Sequence, residues 1–268
     1  MAAMFRAVLA MVLALLSVNP AWGQARDYCP ARPGLGTPAC TIAPGRVSVE
    51  TGLIGWTRDD SAESRTDTLT LGETLVRVGV SDMVELQAEW TPRIRERVRD
   101  RTSGRATTRA GVGDLTLGLK ANLRNPDGGG FAVAVQPFVS VPVAPAPGGA
   151  GDWAAGMLVP ISWDLGGGWS AQVTPEADAA ADADGRGRHL AYSAVIGLGL
   201  PVTGRLSGTI EYQIARDDDP GGATTKHLGS VSFGWLVTPS WQLDMGAVFG
   251  LNPAADDVQL YLGISRRF

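Results

Sequence analysis

The sequence predicts an all-β fold, a twelve-stranded antiparallel transmembrane β-barrel wound as an up-and-down meander. Three observations predict it. From Arg46 onward the chain divides into segments of about 10 to 14 residues whose apolar and polar side chains alternate with period two, with no 3.6-residue apolar stripe anywhere. The connections between segments alternate between short and long, as they do when hairpins project from the two sides of a membrane. An export signal precedes them all.

That signal opens the chain. Arg6 is followed by the apolar run AVLAMVLALL, Ala7 to Leu16, and then by SVNPAWGQA, in which Ala21-Trp22-Gly23 offers a small-x-small cleavage site before Gln24. The apolar run is too short to cross a bilayer as a helix, and no later run approaches the roughly 18 residues such a helix needs. Any membrane crossing must therefore be made by strands. Residues 1-23 are expected to be a signal peptide, 24-45 a disulfide-looped periplasmic segment, and 46-268 the barrel.

In an exported chain the two cysteines, Cys29 and Cys40, most simply form one disulfide, closing the loop CPARPGLGTPAC. A metal site would want more ligands, and His189 and His227, the only histidines, lie far from these cysteines. No metal and no cofactor is expected. The formal charge of -4 becomes -5 once Arg6 is removed, which gives no reason to expect a nucleic-acid partner.

Strands are expected at 46-57, 66-80, 83-92, 111-124, 130-142, 152-164, 169-182, 187-200, 205-216, 224-237, 241-250 and 257-268. In the third, Val84, Leu86, Ala88 and Trp90 oppose Glu85, Gln87 and Glu89. In the fourth, GVGDLTLGLKANL sets Leu115, Leu117, Leu119, Ala121 and Leu123 against Thr116, Gly118, Lys120 and Asn122. In the seventh, Trp169, Ala171 and Val173 oppose Ser170, Gln172 and Thr174. Leu206, Ile210, Tyr212 and Ile214 oppose Ser207, Thr209, Glu211 and Gln213 in the ninth. The last two set Trp241, Leu243, Met245, Ala247 and Phe249 against Gln242, Asp244 and Gly246, and Val258, Leu260, Leu262 and Ile264 against Gln259, Tyr261, Gly263 and Ser265. The aliphatic rows are expected to face lipid and the polar rows water.

Short turns are expected at 81-82, 125-129, 165-168, 201-204 and 238-240, each with the Gly, Pro, Asn, Asp or Ser that tight turns favour. Longer connections are expected at 58-65, 93-110, 143-151, 183-186, 217-223 and 251-256. With an even strand number, both barrel ends then lie on the periplasmic side. A soluble sheet would also alternate, but its strands usually run 5 or 6 residues. Here, too, Trp56, Trp90, Trp153, Trp163, Trp169 and Trp241 sit near strand ends, where an interfacial belt belongs.

Cys29-Pro30, RPGLGTPAC, the hairpin LVRVGVSDMVELQAEW, the strand GVGDLTLGLKANL and the terminal Phe268 together resemble the Gram-negative outer-membrane barrels grouped as the phenol-degradation meta-pathway family, whose members are often labelled simply "transporter". The resemblance covers essentially the whole mature chain, and the Gly-Asp-Leu strand is its most specific piece. It implies an outer-membrane location, uptake of aromatic or other small organic compounds, and no catalytic residues. Phe268 looks like the signal read by the outer-membrane assembly machinery, while Arg266 departs from the apolar residue usual two places before it.

The most unusual local pattern is TPRIRERVRDRTSGR, in which Arg93, Arg95, Arg97, Arg99 and Arg101 recur at every second residue, in parity with Glu85, Gln87 and Glu89. If the strand continues past Pro92 without a bulge, these guanidinium groups face the lumen. They would stand there opposite Glu176, Asp178, Glu211 and Asp244, and such a constriction selects solutes by charge. Alternatively they belong to a solvated extracellular loop that binds lipopolysaccharide phosphates. Glu85, Glu89 and Lys120 complete the lumen candidates.

ADAAADADGRGRH carries the D-x-D-G core of a calcium loop in Asp182, Asp184 and Gly185, but Ala180 and Ala191 occupy the first and twelfth ligand positions. It reads as a surface turn, as does Asp217-Asp218-Asp219. A barrel lipid hydrolase would need a serine beside His189 or His227, and no G-x-S-x-G elbow is present. The chain is expected not to be an enzyme. The expected function is passive uptake of a small organic solute through an outer-membrane channel, with lipid and lipopolysaccharide as surroundings. The alternative is a closed structural barrel whose extracellular loops do the work.

Overall fold

The computed structural model describes residues 26–268. The expected signal peptide lies outside the described residues. Fifteen strands form one sheet: β1 (Val47–Asp60), β2 (Ser64–Gly79), β3 (Val84–Trp90), β4 (Arg93–Asp100), β5 (Ala106–Gly111), β6 (Leu115–Arg124), β7 (Phe131–Val141), β8 (Ala154–Leu158), β9 (Ile161–Gly166), β10 (Trp169–Ala181), β11 (Arg188–Pro201), β12 (Leu206–Asp217), β13 (Thr224–Thr238), β14 (Trp241–Gly250) and β15 (Val258–Arg267). Three of the crossings are interrupted midway, β3 running on into β4, β5 into β6 and β8 into β9, so the barrel has twelve crossings. Each corresponds to one of the twelve segments expected from the alternation.

All neighbours pair antiparallel, and β1 bonds to both β2 and β15, which closes the sheet. Closure leaves no strand edge for lipid, which could not hydrogen-bond it. The seam is completed at the chain end, where Phe268 and Val47 exchange backbone hydrogen bonds of 2.8 and 3.4 Å. Arg266 faces outward two positions before it, with its guanidinium 4.6 Å from the Trp241 ring centroid and 4.3 Å from that of Phe268. Its stem is thereby covered by aromatic surface, so a charged residue fits at an otherwise apolar position.

The barrel is apolar outside and polar inside. In the strand beginning at Leu115, Leu117, Leu119 and Leu123 are exposed, whereas Lys120 and Asn122 are 0% and 2% exposed. Glu50, Arg77, Glu85, Ser232 and Ser265 are equally buried on the inner face of other strands. The large exposed residues Leu198, Ile210, Val231, Phe233, Leu243, Met245, Leu260 and Leu262 lie on the outer rows. That distribution is the reverse of a soluble sheet's and places the protein in the outer membrane.

Two of the expected long connections are instead strand. β1 and β2 continue to Asp60 and from Ser64, leaving 61–63 as the turn, and the arginine-rich stretch forms the hairpin β4–β5. Thr66, Thr68 and Thr70 of β2 pair with Val98, Glu96 and Ile94, so an alternating β-branched row supplied by a neighbouring strand outweighs Pro92 and the local charge.

The same region changes the phase of the barrel wall. Gly72 adopts φ +73°, opposite Thr91-Pro92, and the β1–β15 register shifts between Gly52 and Ile54 at the same level. A side chain at Gly72 would stand 3.1 Å from Pro92, in a conformation that L residues rarely adopt. Below this line Arg77 pairs with Gln87 and faces inward. Above it, Arg95 pairs with Leu69, Leu69 with Trp56 and Trp56 with Leu260, which is an outward row.

Leu117→Arg, on the outer face of β6, is expected to lower stability by about 2 to 4 kcal/mol near the bilayer midplane. Denaturant titration of the refolded barrel in lipid measures it, and a tolerated Leu117→Arg would mean that this row does not face lipid.

Candidate functional site

Residues 26–43, part of the expected disulfide-looped segment 24-45, lie within the lower lumen. They have no strand partner, so side chains of the wall take up their backbone groups, as buried irregular chain requires. Glu50 accepts from the N–H groups of Ala31 (2.7 Å) and Arg32 (3.0 Å), and Glu211 from those of Leu35 (2.7 Å) and Gly36 (2.9 Å). Glu85 accepts from that of Ile42 at 2.6 Å. The carbonyls go to wall donors: Gln242 to Arg32 (2.7 Å), Lys120 to Pro38 (3.0 Å) and Asn122 to Ala39 (2.7 Å).

Arg77 stands at the centre of this floor. Its Nε and Nη2 grip the two oxygens of Glu85 at 2.8 and 3.0 Å, and its Nη1 donates to Glu50 at 3.1 Å. The remaining N–H groups reach the carbonyls of Cys29 (2.8 Å) and Cys40 (3.3 Å). Those two residues are joined by the disulfide, so one guanidinium holds both ends of the covalent loop. Glu50 also accepts from Ser48 at 3.1 Å, and Ser48 meets the Tyr28 hydroxyl at 2.8 Å. Burial, and then the charge of Glu50, push that hydroxyl well above its usual range.

Glycine is required where the segment touches the wall. Gly34 has φ +121°, and a side chain there would come within 2.9 Å of both Glu211 carboxylate oxygens. Arg32, next to it, forms an ion pair of 3.1 Å with Asp244 and lies 5.4 Å from the Tyr261 ring centroid. Above this turn is a cavity of about 320 Å³, lined among others by Arg32, Leu75, Glu73, Glu89, Val248 and Tyr261.

Of the residues singled out from sequence, Glu85, Lys120, Glu211 and Asp244 come together around the N-terminal segment, and Cys29 and Cys40 lie inside it. Glu89 is at the cavity. Glu176 and Asp178 line the inner face of β10, Asp178 beside Gly156 and Glu176 bonded to Ser193 at 3.4 Å. Arg93, Arg95, Arg97 and Arg99 fall on the outward row, because the strand is interrupted at Thr91-Pro92, opposite Gly72, and the wall changes phase there. Arg101 pairs with Asp60 at the hairpin turn. No array of these arginines therefore faces the acidic wall. Glu50, Arg77, Gln172 and Gln242 went unselected, and their signal was only their place on inward rows. Among the described residues neither histidine has a serine as a hydrogen-bond partner: His227 meets the Tyr212 hydroxyl at 2.6 Å.

A closed barrel with a lipid-facing exterior and a polar lumen floored by its own N-terminal segment defines the class, an integral β-barrel of the outer membrane. The chain belongs to the family described as "Putative MetA-pathway of phenol degradation", whose model matches residues 31–268, beginning within the disulfide loop. It is similar in fold to an outer membrane channel from Pseudomonas putida F1, with 16% identity, 94% of this chain and 100% of that chain covered, and a TM-score of 0.64. The translocator domain of the autotransporter NalP from Neisseria meningitidis shares 11% identity, with 100% and 96% covered and a TM-score of 0.53. The NanC porin shares 10% identity, with 82% and 98% covered and a TM-score of 0.52. No curated protein matches the chain.

Arg77→Met leaves two buried carboxylates, Glu50 and Glu85, to the single buried cation Lys120, whose Nζ stands 3.8 Å from Glu85, and is expected to destabilise the barrel by about 3 to 5 kcal/mol. Adding Glu50→Gln removes the excess charge while Lys120 keeps Glu85 as its partner, and should restore part of that loss in a urea titration. A double variant less stable than Arg77→Met would contradict the charge-burial explanation.

Proposed function

We propose that this barrel is an outer-membrane channel for passive passage of small organic molecules, with the N-terminal segment as the element that limits the pore. The observation that carries this reading is the cavity directly above Arg32–Leu35. Apolar Ile54, Leu75 and Val248 share it with Tyr261 and with the polar Glu73, Glu89 and Gln259. Such a mixture suits a compact solute that has an apolar body and a few hydrogen-bonding groups, the usual composition of a small-molecule site. Family membership and the channel and porin folds it resembles support the same reading. The solute moves down its own gradient, and selection lies in the lumen side chains and in the space beside the segment.

The outward arginines have a different role in this proposal. Arg93, Arg95, Arg97 and Arg99 rise from the extracellular half beside Arg58 and Arg65, which already share Asp67 at 3.2 and 2.9 Å. Guanidinium groups on the outer wall, above the Trp56 level, suit bidentate pairing with lipopolysaccharide phosphates.

Full-length protein in liposomes is expected to admit a monocyclic phenol derivative, and Arg32→Ala combined with Glu211→Ala should increase the leak severalfold by loosening the segment. Bilayers that stay tight to every solute in both proteins would overturn the channel reading in favour of a closed structural barrel. Separately, replacing Arg93, Arg95, Arg97 and Arg99 by Ser should leave the ion selectivity of single channels unchanged while weakening lipopolysaccharide binding. A selectivity change would instead return those arginines to the pore.

A further inference from the structure

We propose that Asp182, His189 and Asp219 form a binding site for one divalent transition-metal ion at the outer mouth of the barrel, with Asp217 orienting the histidine. The residues come from three parts of the chain. Asp182 directly follows β10, His189 is the second residue of β11, Asp217 ends β12 and Asp219 lies in the connection to β13. Pairing of Ala180 with His189 and of Ala191 with Asp217 puts them on inner rows of adjacent crossings. The site does not depend on whether a solute passes.

Their geometry has the form of a ligand set. His189 Nδ1 stands 2.9 Å from Asp182 Oδ1 and 3.6 Å from Asp219 Oδ2. The shorter spacing is a hydrogen bond between His189 and Asp182; an ion about 2.1 Å from each of two ligands separates them by roughly 3 to 4 Å, so a slight opening of that contact and loss of the shared proton would admit one. One ligand atom from each of Asp182, His189 and Asp219 lies within 4.8 Å of the others. The His189 side chain is only 6% exposed, and those of Asp182 and Asp219 15% and 14%. Buried Nε2 lies 2.9 Å from Asp217 Oδ1 but has no hydrogen bond of adequate geometry. A small ring rotation would complete it, and a histidine that donates one ring N–H to a carboxylate presents its other nitrogen to a metal.

The charge balance also calls for a cation. Asp182, Asp217 and Asp219 surround one imidazole; of the nearby arginines, Arg188 pairs with Asp152 at 2.8 Å and Arg216 with Asp218 at 2.7 Å, while Arg186, in the same connection as Asp182, pairs with none of the three. Among the described residues no Lys or Arg forms an ion pair with any of the three aspartates. Asp219 is fixed by the N–H groups of Ala183 (2.7 Å) and Gly221 (2.6 Å), so an ion bound there would fasten the 182–187 connection to the 218–223 connection over the lumen mouth. One imidazole nitrogen with two carboxylates favours zinc or manganese over calcium and magnesium, which prefer oxygen alone.

The test is titration of Zn²⁺ and, separately, Mn²⁺ into full-length refolded protein carrying no polyhistidine tag, followed by calorimetry. One ion per chain is expected for at least one of the two, undisturbed by excess Ca²⁺. His189→Gln and Asp219→Asn should each weaken binding at least about tenfold, and Asp217→Asn by roughly 10- to 100-fold through the orienting bond. Asp127→Asn, in the turn at the opposite end, should change nothing. Absence of saturable binding of either ion, or equal affinity in His189→Gln with native strand content by circular dichroism, would overturn the site.

Discussion

Arg77 gives its N–H groups to five acceptors that would otherwise be stranded: both oxygens of Glu85, one of Glu50, and the carbonyls of Cys29 and Cys40. Two strands of the wall and both ends of the disulfide loop meet at this one side chain. Its burial is costly in isolation, since a lone guanidinium leaving water loses several kcal/mol of solvation. It becomes tolerable because planar geometry lets all its donors find partners at once. The same carboxylates then have oxygens left for the N–H groups of Ala31, Arg32 and Ile42, so the position of the N-terminal segment follows from how Arg77 is neutralised.

This arrangement is possible only because the barrel is inside out. A soluble core rejects Glu, Arg and Lys, but a barrel in lipid has already assigned its apolar side chains to the exterior. The polar interior then has a choice between water and protein. Here the lower part is filled with chain, whose backbone groups are paired by Glu50, Glu85, Glu211, Lys120, Asn122 and Gln242 in place of a neighbouring strand. Higher up, where Arg32 reaches Glu73 at 4.0 Å, the segment ends its contact with the wall, and beside Glu89 the lumen contains space for a small molecule.

A single local departure from regular β structure divides those two regimes from the hairpin above. Gly72, Thr91-Pro92 and the register shift after Gly52 form a line across three crossings, and side chains beyond it exchange faces. A shift of one residue moves a whole row to the other side of a sheet. Arg93, Arg95, Arg97 and Arg99 illustrate the result: their parity in sequence matches Glu85 and Glu89, yet they stand on the opposite face of the wall.

The sequence by itself determined the compartment, the strand class, the number of crossings and, below the bulge, which row meets lipid. Those depend on periodicity and length, which are local and carried by every residue of a strand such as Leu115–Arg124. It also brought out Glu85, Lys120, Glu211 and Asp244 as inward polar groups, though with no indication of what they would bind. The place of residues 26–43, the centrality of Arg77 and the meeting of Asp182, His189 and Asp219 were decided only by the tertiary structure. Each depends on which strands become neighbours when the sheet closes, and on where a bulge resets the phase. No local pattern holds that information, because a side chain's parity says which face it is on but not what stands across from it.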